Sequence, residues 1–301
     1  MSKATTSNLT YRDIIGTLGS YYELTKPGIT FSVLASMLIG FLLASASGVD
    51  IVLMIHAIVG TYLIAAGTAA HNMFIERDLD VLMKRTSRRP LPAYRIEPRQ
   101  GFIFSITLIF AGLGYLIVMV NVVAGLVSLA TTVIYLFAYT PLKRISALNV
   151  FVGAIPGALP VVGGWAAVSG TLFEHGMWIL FGVIYCWQIP HVVSIAWVCK
   201  NDYEHAGFKM LPKNDPNGYK AVLWTLLPIM ILFPTVYKLF VMDLVGGLYL
   251  AGSIATTAGF FFYGLKFSYL RNVASARSLM FSSFIYLPLI WFFIFIDWFF
   301  F

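Results

Sequence analysis

Charge is scarce in this sequence, and negative charge is scarcer still: 13 Asp and Glu and 20 Lys and Arg make up 11% of 301 residues. A soluble globular chain carries about 25% charged residues, so an ordinary water-facing surface is excluded. Cysteine is nearly missing as well. Cys186 and Cys199 stand at opposite ends of one apolar segment without metal-ligand spacing, which leaves them as small apolar residues and excludes a disulfide framework. The N-terminal region shows neither a cleavable apolar signal nor an Arg-rich transit peptide, which favours a bacterial inner membrane over an organelle.

Apolar residues fill the space. They account for 59% of the chain, aromatics for 16%, and the mean hydropathy is +0.83. A bilayer core of about 30 Å needs about 20 helical residues to cross it. Segments of that kind predict nine spans: Ile29–Ser47, Ile51–Ile75, Gly101–Val120, Val122–Thr140, Ala147–Val168, Gly176–Val198, Tyr219–Phe240, Leu244–Leu265 and Ser278–Phe299. The expected fold is all-α, a polytopic membrane protein with nine transmembrane helices around a central cavity. Residues 1–28, including YRDIIGTLGSYYELTKPG, form a polar to amphipathic segment on or near the interface. Residues 29–301 form the membrane domain.

Charge gives an independent check. With the N-terminus in the cytoplasm, 19 of the 20 Lys and Arg fall on inside segments and only Lys238 falls outside, so the positive-inside rule predicts an N-in, C-out topology. The net charge of +7 then follows from topology and anionic headgroups, and no nucleic acid partner is called for. The long connections after spans two and six hold most of the charge, which places function on the cytoplasmic side.

The first of these connections is HNMFIERDLDVLMKRTSRRPLP, from His71 to Pro92. If span two stays helical past Ile75, Asn72, Glu76 and Asp80 recur at i, i+4 and i+8 and line one face over two turns. Asp78 points well around the helix. Two carboxylates and an amide are hard oxygen donors of the kind Mg²⁺ shares with substrate phosphates. Lys84, Arg85, Arg88 and Arg89 follow, and Arg presents forked donors to phosphate oxygens. The plain alternative is a solvated helix end whose bases serve only orientation.

The second connection is WQIPHVVSIAWVCKNDYEHAGFKMLP, from Trp187 to Pro212. Pro190 is expected to kink span six or free a carbonyl there. His191 follows at membrane depth, either as a functional group or as a packed histidine bonded to a neighbour. Lys200, Asn201, Asp202, Glu204 and His205 again combine metal-type and phosphate-type groups. Two acidic clusters at one face would suit two Mg²⁺ ions around one diphosphate.

NMFIERDLDVLMKRTSRRPLP resembles the first Asp-rich motif of the intramembrane prenyltransferases, the UbiA superfamily. ERDLDVLMKRT with RPLP, then YTPLKR, GAIPGALPVVGGW, WQIPH and DYEHAGFKMLP resemble its heme-farnesylating branch, in order from Thr25 to Pro212. The resemblance implies farnesyl transfer from farnesyl diphosphate to a vinyl group of heme b, with water addition, giving heme O for terminal oxidases. It implies Mg²⁺ as cofactor, the lipid bilayer as surroundings, and heme A synthase or a terminal oxidase as partner. Asn72, Glu76, Asp80 and Asp202 become the catalytic set, with Glu76, Asp80 and Asp202 on the metal. Lys84, Arg85, Arg88, Lys143, Arg144 and Lys200 become candidate diphosphate ligands, and His191 a candidate heme contact.

Two positions depart from the superfamily pattern. Glu76 stands where Asp is usual, and Ala206 stands where a second Asp would complete the second motif. Lys143 and Arg144 fit diphosphate, the heme propionates or an orientation signal equally. Gly153, Gly157, Gly163 and Gly164 read first as close helix packing and second as a substrate groove. A prenyltransferase acting on a quinone precursor is the alternative function. A transporter fits less well, because the acids gather at a membrane face and no inverted repeat of broken helices is visible.

Overall fold

The computed structural model describes residues 11–45, 48–213 and 215–300. They form an all-helical bundle. In chain order the helices are α1 (Tyr11–Leu24), α2 (Pro27–Ala44), α3 (Ile51–Asp80), α4 (Pro98–Met119) and α5 (Val122–Val133). A π-helical segment, Ile134–Tyr139, leads into α6 (Thr140–Ile145). Then come α7 (Asn149–Ser169), α8 (His175–Val198), α9 (Lys200–His205), α10 (Tyr219–Val241), α11 (Gly247–Leu270) and α12 (Val273–Phe300). Among the described residues nine helices are long and apolar enough to cross a membrane, with Val122–Ile145 counted as one.

Local chemistry sets the boundaries. Pro27 and Pro98 open α2 and α4, where a missing N–H costs nothing. The Asp50 carboxylate accepts from Leu53 N at 3.0 Å and caps α3. Asn121 divides spans three and four. Its Oδ1 accepts from Ala124 N at 2.8 Å, while its Nδ2 donates to the carbonyls of Ala166 and Ala167 on α7. One amide both starts a helix and fastens it to the neighbouring span.

Several helices outrun their expected spans. α12 begins at Val273 instead of Ser278, α11 reaches Leu270 instead of Leu265, and α3 reaches Asp80. The expected limits followed side-chain polarity, whereas backbone hydrogen bonding carries a helix on through the polar interface. At 30 residues and about 1.5 Å each, α3 is longer than a bilayer core is thick, so its acidic end emerges from the apolar zone. α8 runs unbroken through Pro190, which leaves the carbonyl one turn earlier without its usual donor. Of the N-terminal segment, α1 is helical and residues 1–10 lie outside the described residues, as does Ser47, the expected end of the first span.

α7 is the most enclosed span. A Cβ placed on Gly164 would run into the Met37 carbonyl, and one on Gly40 into the Val161 carbonyl. The α2 and α7 backbones therefore touch, as small residues permit between membrane helices. Gly153 packs on the Tyr139 ring and Gly157 on the Gln188 amide. Around α7, helices α2, α3, α5, α8 and α12 enclose a cavity of about 940 Å³.

Candidate active site

The acidic end of α3 adjoins this cavity through Asn72, which bonds to the lining residues Lys26 and Tyr135, and the three expected residues share one face. Asn72, Glu76 and Asp80 are all buried. Each is held by a cation from a different part of the chain. Lys26 Nζ donates to Asn72 Oδ1 at 2.7 Å, Lys143 Nζ donates to Glu76 Oε1 at 2.7 Å, and Arg89 Nη1 donates to Asp80 Oδ2 at 2.7 Å. Burying a charge is costly unless it is paired, and here three oxygen donors and three cations meet that cost together.

The π-helical segment positions the wall opposite. Pro141 has no N–H to offer one turn back, and the chain widens so that Thr140 N reaches the Tyr135 carbonyl. Tyr135 and Tyr139 then stand with ring centroids 5.3 Å apart. Thr140 Oγ1 accepts from Asn72 Nδ2 at 3.1 Å, and Tyr135 lies 3.5 Å from Asn72 Oδ1. The Lys143 ammonium lies 4.5 Å from the Tyr139 ring centroid and 5.7 Å from that of Phe208. Asn149 fixes this corner by donating to the carbonyls of Ser146 and Lys209.

The second acidic stretch lies on the same face of the bundle. Arg85 Nη2 donates to the Tyr203 hydroxyl at 3.3 Å, and Met83 packs with Ala196, Ala206, Phe208 and Met210. Ala206 is buried in this cluster, so the position where the superfamily has Asp serves packing here. Asp202, beside Tyr203 on α9, is half-buried, and its carboxylate has no ion-pair partner among the described residues. Lys200 is exposed and pairs with Glu204 at 3.7 Å.

The expected cations divide into two groups. Lys143 is inside the cluster, and Arg85 is tied to Tyr203 at its edge. Lys84, Arg88, Arg144 and Lys200 are exposed. Among the described residues Arg88 lends only its backbone carbonyl, to Arg95; the guanidinium on Asp80 belongs to Arg89. Asp78 pairs with Arg77 at the surface, at 3.4 Å. Lys26, Tyr135 and Thr140 lie outside the expected set. The available signal for Lys26 was its place directly before Pro27-Gly28, at the mouth of the first span.

His191 faces the cavity from α8. Its Nδ1 is 2.7 Å from Ser283 Oγ, its ring stacks on Trp187 with centroids 4.9 Å apart, and Phe284 meets it edge-on. Ser283 fixes one ring nitrogen and leaves Nε2 without a partner among the described residues. The cavity thus has a charged end at Lys26, Tyr135 and Tyr139, a histidine on one wall, and apolar depth at Met37, Ile64 and Val127.

An apolar cavity inside a membrane bundle, with paired acids and bases beside one end, has the chemistry to hold a lipid-like molecule with an anionic head. The chain belongs to the UbiA prenyltransferase family, which matches residues 33–288. It is 38% identical over 280 residues to the protoheme IX farnesyltransferase of Solibacter usitatus, covering 90% of this chain and 96% of that one. The fold is that of a solved digeranylgeranylglyceryl phosphate synthase (TM-score 0.78, 16% identity, 94% of this chain and 98% of that one). It is also that of a UbiA homolog from Archaeoglobus fulgidus bound to GPP and Mg²⁺ (TM-score 0.65, 15% identity, 91% and 99%).

Proposed function

We propose that this protein transfers a farnesyl group from farnesyl diphosphate to a vinyl group of heme b and adds water, giving heme O. The observation that carries the reading is the likeness to the Solibacter usitatus farnesyltransferase along nearly the whole chain, joined to a charged cluster beside one end of an apolar cavity.

The donor set fits Mg²⁺. Asn72, Glu76 and Asp80 present hard oxygens on one helix face, with the free Asp202 carboxylate nearby in the fold. Among the described residues no three His, Cys, Asp or Glu side chains gather into a metal cage. An ion held by these oxygens would keep several waters and be shared between one or two carboxylates and a substrate diphosphate. Mg²⁺ held there supplies positive charge to the departing diphosphate. Lys26, Lys143 and Arg89 supply the rest: when the substrate enters, each exchanges an oxygen of α3 for one of phosphate. Arg85 is tied to Tyr203, the neighbour of Asp202 on α9. Lys84, Arg88, Arg144 and Lys200, exposed around the rim, draw the anion in from water.

The farnesyl C1–O bond breaks as the terminal vinyl carbon bonds to C1. Water then adds to the remaining carbocation and its proton leaves toward diphosphate. The apolar walls keep other water out until that step. His191 faces the porphyrin, with Ser283 setting its tautomer. The test is incubation of the purified full chain with heme b, farnesyl diphosphate and Mg²⁺. A more hydrophobic heme is the expected product, and no conversion by folded protein would refute the assignment. His191→Ala is expected to change the visible spectrum of the heme-loaded protein.

Lys26 gives the reaction a pH dependence. Burial pushes its ammonium down to about 7; Arg89 and Lys143 add to the fall, while Glu76 and Asp80 oppose it. Below that pH the lysine is charged and ready for diphosphate. Above it, binding must draw a proton from solvent. Affinity for farnesyl diphosphate should therefore weaken above pH 7, by up to about tenfold per unit. Lys26→Met should lower affinity at pH 6 and remove this part of the profile; an identical profile in the variant would exclude the lysine.

The acidic face is the cytoplasmic one in this reading, with the N-terminus inside a bacterial inner membrane. An impermeant thiol reagent is expected to label Ser87→Cys from the cytoplasm and Gly48→Cys from the other side. The reverse pattern would overturn the orientation.

A further inference from the structure

A second cavity lies beneath the first. It measures about 600 Å³, is lined almost wholly by apolar atoms of α2, α3 and α12, and shares Ala35, Pro288 and Trp291 with the active-site cavity. Its other walls include Leu42 near the end of α2, Ile51 at the start of α3 and Trp298 near the end of α12. It therefore extends toward the membrane face opposite the charged cluster. Trp291 is only 8% exposed and packs with Leu287 and Ile290 in the main core.

We propose that the Trp291 indole, with Ala35 on the facing helix, is the floor that sets the length of the prenyl chain. This rests on the reading that the diphosphate is held beside Lys26 and Asn72. From Lys26 to Ala35 is nine steps along α2, or about 14 Å at about 1.5 Å per residue. The main chain of a farnesyl group has twelve carbons, and with bonds of about 1.5 Å it spans roughly 14 Å when extended. Its last isoprene therefore ends at the level of Ala35 and Trp291. A geranyl chain stops one isoprene short and leaves apolar wall uncovered. A geranylgeranyl chain runs one isoprene too far and meets the indole. Below the indole the space already exists, so truncating one side chain would join two cavities without moving a helix. Ala35 acts from the opposite side, where a larger residue would raise the floor.

The test uses the full chain in lipid nanodiscs with geranyl, farnesyl and geranylgeranyl diphosphates. Two quantities are measured: competitive binding of the three diphosphates, and product formation with heme b. Wild type should favour the fifteen-carbon chain in both. Trp291→Ala should raise the geranylgeranyl-to-farnesyl ratio by about tenfold or more, in keeping with what an added apolar segment is worth in a fitted pocket. Ala35→Phe should shift the preference toward geranyl by a similar factor. A folded Trp291→Ala protein that keeps the wild-type ratio overturns the proposal; if that variant does not fold, an unchanged preference in Ala35→Phe does so. Failure of wild type to alter heme b would refute the heme reading alone, since chain-length preference in binding is read without an acceptor.

Discussion

Asp80→Ala should lower heme product formation by about three orders of magnitude or more while the protein still inserts and folds. Asp80 is 1% exposed, and its Oδ2 accepts from Arg89 at 2.7 Å. Truncation removes one of two carboxylates on the α3 face and leaves the guanidinium without its partner. Loss of a single preorganised charge-stabilising group costs about 10²–10³ in rate. On the proposed reading Asp80 serves twice, toward the metal and as the group that holds Arg89 in place, so the loss should reach or pass the top of that range. Arg89 is 23% exposed and keeps access to water, which limits the damage to stability. Asp80→Asn is the sharper comparison, because the amide keeps the shape and loses the charge. Glu76→Asp should be milder than Glu76→Ala, since the shorter acid is the usual family residue and can still meet Lys143. Turnover by each purified variant, beside its thermal unfolding curve, decides the matter. Wild-type turnover by folded Asp80→Ala would remove Asp80 from the site.

The acids of this site were legible in the sequence, and most of their partners were not. Asn72, Glu76 and Asp80 lie on one helix, where a period of 3.6 relates position to direction. Lys26 and Asn72 are 46 residues apart, and Lys143 and Glu76 are 67 apart. Such pairings depend on how helices pack, and no local period encodes that. Arg89 shows the same limit at short range. Beyond Asp80 the chain leaves the helix, so spacing could not tell which of two adjacent arginines turns back. Tyr135 was hidden differently: it points at Asn72 because Pro141 widens the helix by one residue per turn, and a regular α-helix would aim it elsewhere. The spans themselves were legible because lipid demands long apolar runs. The helix ends are harder to read, because at Lys266 and Arg277 the side chains turn polar while the helical backbone continues.

The glycines of α7 separate packing from function. Gly163 and Gly164 are adjacent, yet they face different surroundings. A Cβ on Gly164 would penetrate the Met37 carbonyl of α2, while one on Gly163 would make an ordinary contact of 3.6 Å with Val127 at the cavity wall. Gly164→Val should therefore force α2 away from α7 and lower stability by about 3 kcal/mol or more, at or beyond the upper end for overpacked cores, because a backbone carbonyl cannot rotate aside as a side chain can. α2 also carries Lys26 at its start and Ala35 along its length, so any molecule that does fold should lose farnesyl diphosphate affinity. Gly163→Val should fold and lose activity by narrowing the cavity. Gly114→Ala, where nothing lies within 4 Å of the added carbon, should be neutral or slightly stabilising, since alanine favours a helix by up to about 1 kcal/mol over glycine. Thermal unfolding of the three purified variants measures the difference. If Gly164→Val melts with wild type, the backbone contact between α2 and α7 does not hold the site together, and the packing of α2 on α3 and α12 is left to place Lys26 against Asn72.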